Sequence, residues 1–153
     1  MPRWKDMLIE IEKIEEKYGS SLRNPVSDTE IERINHNIQL KLGNIVLPKS
    51  YTEFLKKING LDYNGLVIYG IDKGLLDKEV DDDIDGFVEM NELWYENDYQ
   101  KQYIFLGDSD TAWYCYDINE NIYKELDKPS GTMIQSFESF DSMLIEALET
   151  TLL

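Results

Sequence analysis

Apolar residues recur every three or four positions in several stretches of this chain, and this spacing predicts amphipathic α-helices. One helix is predicted over residues 3–18, a second after a capping box formed by Ser27 and Glu30, a third from Pro48, and a last over residues 137–149. Their predicted buried stripes are, in chain order, Trp4, Met7, Leu8, Ile11, Ile14 and Tyr18; Ile31, Ile34 and Ile38; Tyr51, Phe54, Leu55 and Ile58; and Phe137, Phe140, Leu144, Ala147 and Leu148.

Short apolar runs between Gly, Asn and Asp residues predict β-strands. These runs cover residues 66–69, 103–106, 111–116 and 122–126, with a short edge strand at 132–135. The later strands are separated by tight turns, which predicts a meander. Helices at both ends of such a meander predict an α+β fold, with a single compact, mostly antiparallel sheet and N-terminal and C-terminal helices packed against it.

A further helix is predicted over residues 86–97, where Phe87, Met90 and Trp94 share one face. The preceding polar loop contains at most one short helical turn near Leu75, and it is rich in aspartate. Because the N-terminal end of a helix carries a partial positive charge, we expect the aspartates of this loop to stabilise that end.

The block LPKSYTEFLKKINGLDYNGLVIYG, residues 47–70, is the centre of the predicted fold. It resembles the opening signature of the SUKH superfamily, named for yeast cell-wall-assembly regulators and a set of bacterial immunity proteins. Residues 103–117 (YIFLGDSDTAWYCYD) and 136–148 (SFESFDSMLIEAL) resemble later segments of the family. The resemblance implies one SUKH-like domain over residues 1–153, with a family core at 27–149 and an N-terminal helical extension at 1–26.

The charge of the chain is strongly negative. Fifteen Lys and Arg residues against 31 Asp and Glu residues give a net charge of −16, and nine of these sixteen net negative charges lie in residues 77–98. Such a charge repels phosphate backbones and anionic membrane surfaces, so we expect neither direct nucleic-acid binding nor membrane binding.

The N-terminal residues and the cysteine content predict a cytoplasmic protein. The first residues, MPRWKDMLIEIEK, are charged and contain no uninterrupted apolar segment for export, and no later stretch has the 18 or so apolar residues of a membrane span. The single cysteine, Cys115, has no partner in the chain for an internal disulfide.

Groups for catalysis are few. The only histidine, His36, is predicted on the polar side of its helix, and Cys115 is predicted as a buried thiol in a strand. The sequence contains no P-loop or dinucleotide-binding motif. We therefore predict a protein that is not an enzyme and has no cofactor.

One loop fits the pattern of an EF-hand calcium site. Asp81, Asp83, Asp85, Gly86 and Glu92 match D-x-[DN]-x-[DN]-G-x5-E. EF-hands normally occur in pairs, whereas this chain has one such loop and no good entering helix. The SUKH resemblance also implies no calcium site. A solvated acidic loop before a helix is therefore the favoured interpretation.

Aromatic residues among the carboxylates predict a surface for a protein partner. Tyr63, Tyr95 and Tyr99 are predicted in turns or on the outer face of a helix, and exposed aromatics beside charges are typical of interface hot spots. The predicted partner-binding residues are Asp62, Tyr63, Asp81, Asp82, Asp83, Asp85, Glu89, Glu92, Tyr95, Glu96 and Tyr99.

The resemblance implies an immunity protein, or antitoxin, that binds and neutralises a cognate toxin by direct contact. The acidic charge favours a basic nuclease domain of a secreted polymorphic toxin as the partner, because carboxylates can occupy a cleft built for phosphates. The alternatives are a regulatory scaffold in signalling or cell-wall control, a calcium-binding module and, last, a small hydrolase. The identity of the toxin and the oligomeric state stay open.

Overall fold

The computed structural model describes residues 3–78 and 83–152. These residues form helices and strands in the order α1 Arg3–Lys17, α2 Asp28–Lys41, α3 Lys49–Leu55, β1 Leu61–Tyr63, β2 Leu66–Ile68, α4 Phe87–Trp94, β3 Tyr103–Asp108, β4 Ala112–Asp117, β5 Ile122–Asp127, β6 Met133–Phe137 and α5 Phe140–Leu152. Short 3-10 helices lie at Lys73–Leu75 and Asp98–Gln102. The predicted α+β class is confirmed.

The six strands form one antiparallel sheet in the order β1-β2-β3-β4-β5-β6, so the meander is also confirmed. Strand β1 lies where only a turn was predicted. Asn64 and Gly65 join β1 to β2 with φ of 49° and 86°. An Asn-Gly pair between two apolar runs is a strong signal for such a two-residue hairpin, because both residues tolerate positive φ.

The capping box of α2 forms as predicted. The Glu30 amide donates to Ser27 Oγ at 3.2 Å, and the Ser27 amide donates to Glu30 Oε1 at 2.9 Å. The apolar stripe of α2 is buried. The predicted burial of Tyr18 is wrong, since it is 83% exposed beyond the end of α1 at Lys17. Phe137 is partly buried against the core, but it ends β6 instead of beginning α5.

The core lies between the sheet and helices α1, α3 and α5. Helix α5 packs against β2, β5 and β6, and both α1 and α3 pack against α5. The ring of Phe140 lies 5.9 Å from that of Tyr51 and 6.0 Å from that of Phe54, measured between centroids. Among the helices in the described part of the chain, none has the length and apolar character needed to cross a membrane.

Candidate functional site

Helix α4 presents a carboxylate stripe to solvent. Phe87 and Val88 face the core, whereas Glu89 and Glu92 are exposed. The amide of Glu96 donates to the carbonyl of Leu93 at 3.2 Å, so the helical turn continues past Trp94. We define the α4 acidic stripe as the exposed residues Glu89, Glu92, Leu93, Glu96 and Tyr99. The first four follow the i, i+3, i+4, i+7 spacing of one helix face.

Two apolar side chains lie among the carboxylates of this stripe. Leu93 is 47% exposed and Tyr99 is 63% exposed. The exposure of Tyr99 confirms its predicted surface position. Leu93 was not among the predicted partner-binding residues, although its position beside Glu92 and four residues after Glu89 places it on the polar face. An apolar residue on an otherwise polar helix face is the signal that identifies it.

Asp72 supplies the N-terminal cap of α4. Its Oδ1 accepts a hydrogen bond from the Val88 amide and its Oδ2 accepts one from the Glu89 amide, each at 2.9 Å. Gly86 precedes the helix, and a Cβ there would lie 2.8 Å from the Asp72 Cα. Asp72 belongs to the polar loop that precedes the helix, so one aspartate of this loop stabilises the helix end as expected, and it does so by direct hydrogen bonds.

The C-terminal part of α4 is held by a buried polar cluster. Trp94 Nε1 donates to the Tyr69 hydroxyl at 3.0 Å, and that hydroxyl donates to Asp108. Lys128 Nζ lies 3.8 Å from Asp108 Oδ1 and 5.2 Å from the centre of a Trp94 ring. Burial raises the pKa of Asp108, although the bonds from Tyr69 and Lys128 oppose this shift. These contacts fix the direction of the acidic stripe.

The predicted partner-binding tyrosines divide between surface and core. Tyr63 is only 8% exposed, and Tyr95 is half-buried with its hydroxyl donating to the Tyr103 carbonyl. The centroid of the Tyr95 ring lies 6.4 Å from that of Phe105, and burial raises the pKa of Tyr95. The predicted outer position is therefore wrong for Tyr63, which lies in β1 and is buried. Tyr95 keeps part of its surface exposed and lines a groove with Glu92 and Glu96.

The remaining predicted aspartates lie apart from the stripe. The exposed Asp62 and Asp83 line one groove of about 280 Å³, and the Asp83 carbonyl accepts a hydrogen bond from Arg23 Nη2 at 2.8 Å. Asp85 is also exposed. Asp81 and Asp82 lie outside the described residues. Most of the described partner-binding set therefore lies in two places: Glu89, Glu92, Glu96 and Tyr99 in the stripe, and Asp62, Tyr63 and Asp83 along this groove.

At Gly86 the EF-hand pattern lacks the expected loop geometry, and its first residue, Asp81, lies outside the described residues. Gly86, which should form the sharp turn, has φ −79° and ψ 139° and pairs with Gly70 in a parallel bridge. The preceding helix is the 3-10 turn Lys73–Leu75. Within residues 3–78 and 83–152, no group of three His, Cys, Asp or Glu side chains converges to hold a metal ion.

Cys115 and His36, the candidate nucleophile and base, lie on different elements and differ in exposure. Cys115 is fully buried, its thiol donates to the Lys124 carbonyl at 3.6 Å, and burial raises the pKa of the thiol. His36 is exposed on α2. A buried neutral thiol and an exposed imidazole on a different element give this pair no means of acting together.

The sequence model of the SMI1/KNR4 family (SUKH-1) matches residues 25–146, which is well over half of the chain. Comparison with curated proteins finds no match.

Proposed function

The chain belongs to the SMI1/KNR4 family (SUKH-1), and we propose that it is a cytoplasmic immunity protein that binds and neutralises a cognate toxin. Membership of this family supports an immunity-protein-like or SMI1/KNR4-type role in general, and it confirms the resemblance of residues 47–70. Our proposal adds the partner, a basic nuclease domain, and the surface that receives it.

The α4 acidic stripe is the observation that carries the proposal. Among ion pairs between described residues, none uses Glu89, Glu92 or Glu96. These carboxylates are therefore available to Lys and Arg side chains of a partner. A nuclease cleft that binds a phosphate backbone presents such cations, and a row of carboxylates offers them a similar charge pattern.

We propose that neutralisation requires binding alone. The burial of Cys115 and the exposed position of His36 on another element both support a role without chemistry of its own. Inhibition should then be stoichiometric, with one chain blocking one toxin domain at most. An immunity protein that acted as an enzyme would instead protect at much less than one chain per toxin.

The deciding experiment is co-expression with any toxin domain that a gene next to this one encodes. Wild type should protect the cells, whereas a variant with Glu92→Lys and Glu96→Lys should lose protection, because it places two cations opposite a basic surface. A variant with Glu12→Lys and Glu16→Lys is the control: both residues are exposed on α1, with the same spacing and the same charge change.

The control variant should protect like wild type, and circular dichroism should show that both variants are folded. Protection by the folded α4 variant would exclude the acidic-stripe mechanism. If wild type forms no complex with the neighbouring toxin domain and gives no protection, the immunity function is wrong.

The salt dependence of binding provides a second readout. If the carboxylates steer the encounter, the association rate should fall markedly between about 50 and 300 mM salt, as the screening length falls from roughly 14 to 6 Å. The dissociation rate should change less. Surface plasmon resonance measures both rates, and a salt-independent association rate would mean that charge does not steer binding.

A regulatory role of the SMI1/KNR4 type is the second candidate, since the family match favours it as well. The same stripe would then hold a basic signalling or cell-wall protein. The co-expression experiment separates the two roles, because such a regulator would give no protection against a toxin.

A further inference from the structure

An apolar corner lies next to the α4 acidic stripe. We define it as Ile45 and Val46, in the loop between α2 and α3, with Tyr116 and Ile118 at the end of β4 and the turn that follows. Together they line a groove of roughly 700 Å³. Val46 is 81% exposed and Ile118 is 39% exposed. Clustered exposed apolar side chains beside a groove are typical of a binding surface.

A second groove, of about 460 Å³, connects this corner to the stripe. Ile45 and Ile118 line it from the apolar corner, and Glu92 and Glu96 line it from the acidic stripe. The apolar and acidic residues therefore belong to one continuous surface. Lys41 and Lys101 also line this groove. Lys101 pairs with Asp98 at 3.0 Å, so its charge is already compensated within the chain, and Lys41 leaves one cation against the two carboxylates of Glu92 and Glu96.

We infer that the apolar corner is the anchor site for the basic partner, which inserts a large apolar side chain there while its Lys and Arg residues lie along the acidic stripe. This inference rests on the proposed function and specifies the partner's chemistry. Protein interfaces commonly combine an apolar centre, where an anchor is fully desolvated, with a charged rim that sets orientation and association rate.

The charge of the surface decides between a basic partner and a second copy of this chain. A second copy of this chain would bring the same net charge of −16 to a surface that already contains Glu92 and Glu96, and this repulsion opposes a symmetric dimer through the corner. A basic partner gains from the same carboxylates.

The test uses the purified toxin domain against which wild type protects in the co-expression experiment, and two variants, Val46→Ser and Ile118→Ser. Each should raise Kd by about tenfold, mainly through faster dissociation, because an apolar anchor acts after the encounter. The controls are Met133→Ser and Ile134→Ser on β6, where the residues are 52% and 51% exposed. These controls should bind like wild type, and thermal unfolding should match wild type in the Val46 variant.

The outcomes separate the inference from the proposed function. If Val46→Ser and Ile118→Ser bind within twofold of wild type while the Glu92 and Glu96 double variant binds weakly, the anchor site is wrong and the immunity function stands. Equal weakening in the β6 controls would also overturn the anchor site, as would self-association of the wild type that Val46→Ser abolishes. If wild type does not bind the toxin domain, both proposals fail.

Discussion

The side chain of Asn91 forms the two hydrogen bonds with the Phe105 backbone that a neighbouring strand would otherwise form. Its Oδ1 accepts a hydrogen bond from the Phe105 amide at 2.8 Å, and its Nδ2 donates to the Phe105 carbonyl at 2.9 Å. Strand β2 pairs with β3 at Gly107 and Asp108, and the Tyr69 amide after β2 donates to the Leu106 carbonyl at 2.9 Å. At Phe105, the next residue of β3, α4 satisfies the backbone instead. This contact fixes α4, and with it the acidic stripe, to the sheet.

We predict that Asn91→Ala lowers the free energy of unfolding by about 2–4 kcal/mol, because it leaves buried backbone groups of Phe105 without partners. Asn91 is fully buried and also donates to the Phe87 carbonyl at 2.8 Å. Urea unfolding measures the change. Asn35→Ala on the exposed face of α2 is the control and should stay within about 0.5 kcal/mol of wild type. Equal stability of the two variants would contradict the role of Asn91.

Asp72→Ala should destabilise the protein by about 1–2 kcal/mol, because it removes the cap from two amides of α4. Asp85→Ala should change stability by less than about 0.5 kcal/mol, since Asp85 is exposed and lies beside the helix end without capping it. Thermal unfolding of the two variants compares the stability lost with a helix-capping carboxylate and the stability lost with a nearby exposed carboxylate. A larger effect at Asp85 would favour the aspartates directly before the helix as the stabilising groups.

Asp117 should make stability depend on pH. Burial opposes ionisation, but the amides of Glu120 and Asn119 and the Lys124 ammonium donate to its carboxylate at 3.0, 2.9 and 2.9 Å, and together they lower the pKa of Asp117. A carboxylate with a lower pKa in the folded state stabilises the fold fully above its unfolded pKa. This contribution is lost as the pH falls below the unfolded pKa of about 3.9 and through the lower folded pKa.

Asp117→Asn should therefore cost about 1–3 kcal/mol at pH 7 and progressively less towards pH 3, as measured by urea unfolding at each pH. Asp110→Asn, in an exposed turn, should cost less than about 0.5 kcal/mol throughout. A difference between wild type and Asp117→Asn that grows on acidification would reverse the predicted sign.

We expect calorimetry to show no saturable calcium binding at millimolar concentration. The extended backbone of Gly86 and its bridge to Gly70 do not supply the sharp turn that an EF-hand loop needs. An established EF-hand protein in the same buffer provides the positive control. One saturable site that Asp81→Ala and Glu92→Ala each abolish would establish the calcium-binding module instead.

Much of the fold was predictable because the helices depend on residues that lie close together in the sequence. The apolar stripe of α2 and its capping box involve residues within a few positions of one another, and both form as predicted. The same holds for Tyr51, Phe54 and Leu55 of α3, which are fully buried. Burial of one helix face requires a fixed spacing, so the spacing alone indicates which side chains enter the core.

The acidic character of the candidate site was also apparent from the amino acids, since net charge in residues 77–98 does not depend on the fold. The sequence did not show which of these carboxylates share one surface. Asp72, fourteen residues before Gly86, supplies the cap of α4, Tyr63 is buried, Tyr95 is partly buried, and Leu93 is exposed beside Glu92. The positions of these side chains depend on contacts between different segments of the chain. The spacing of residues within one segment therefore does not predict them.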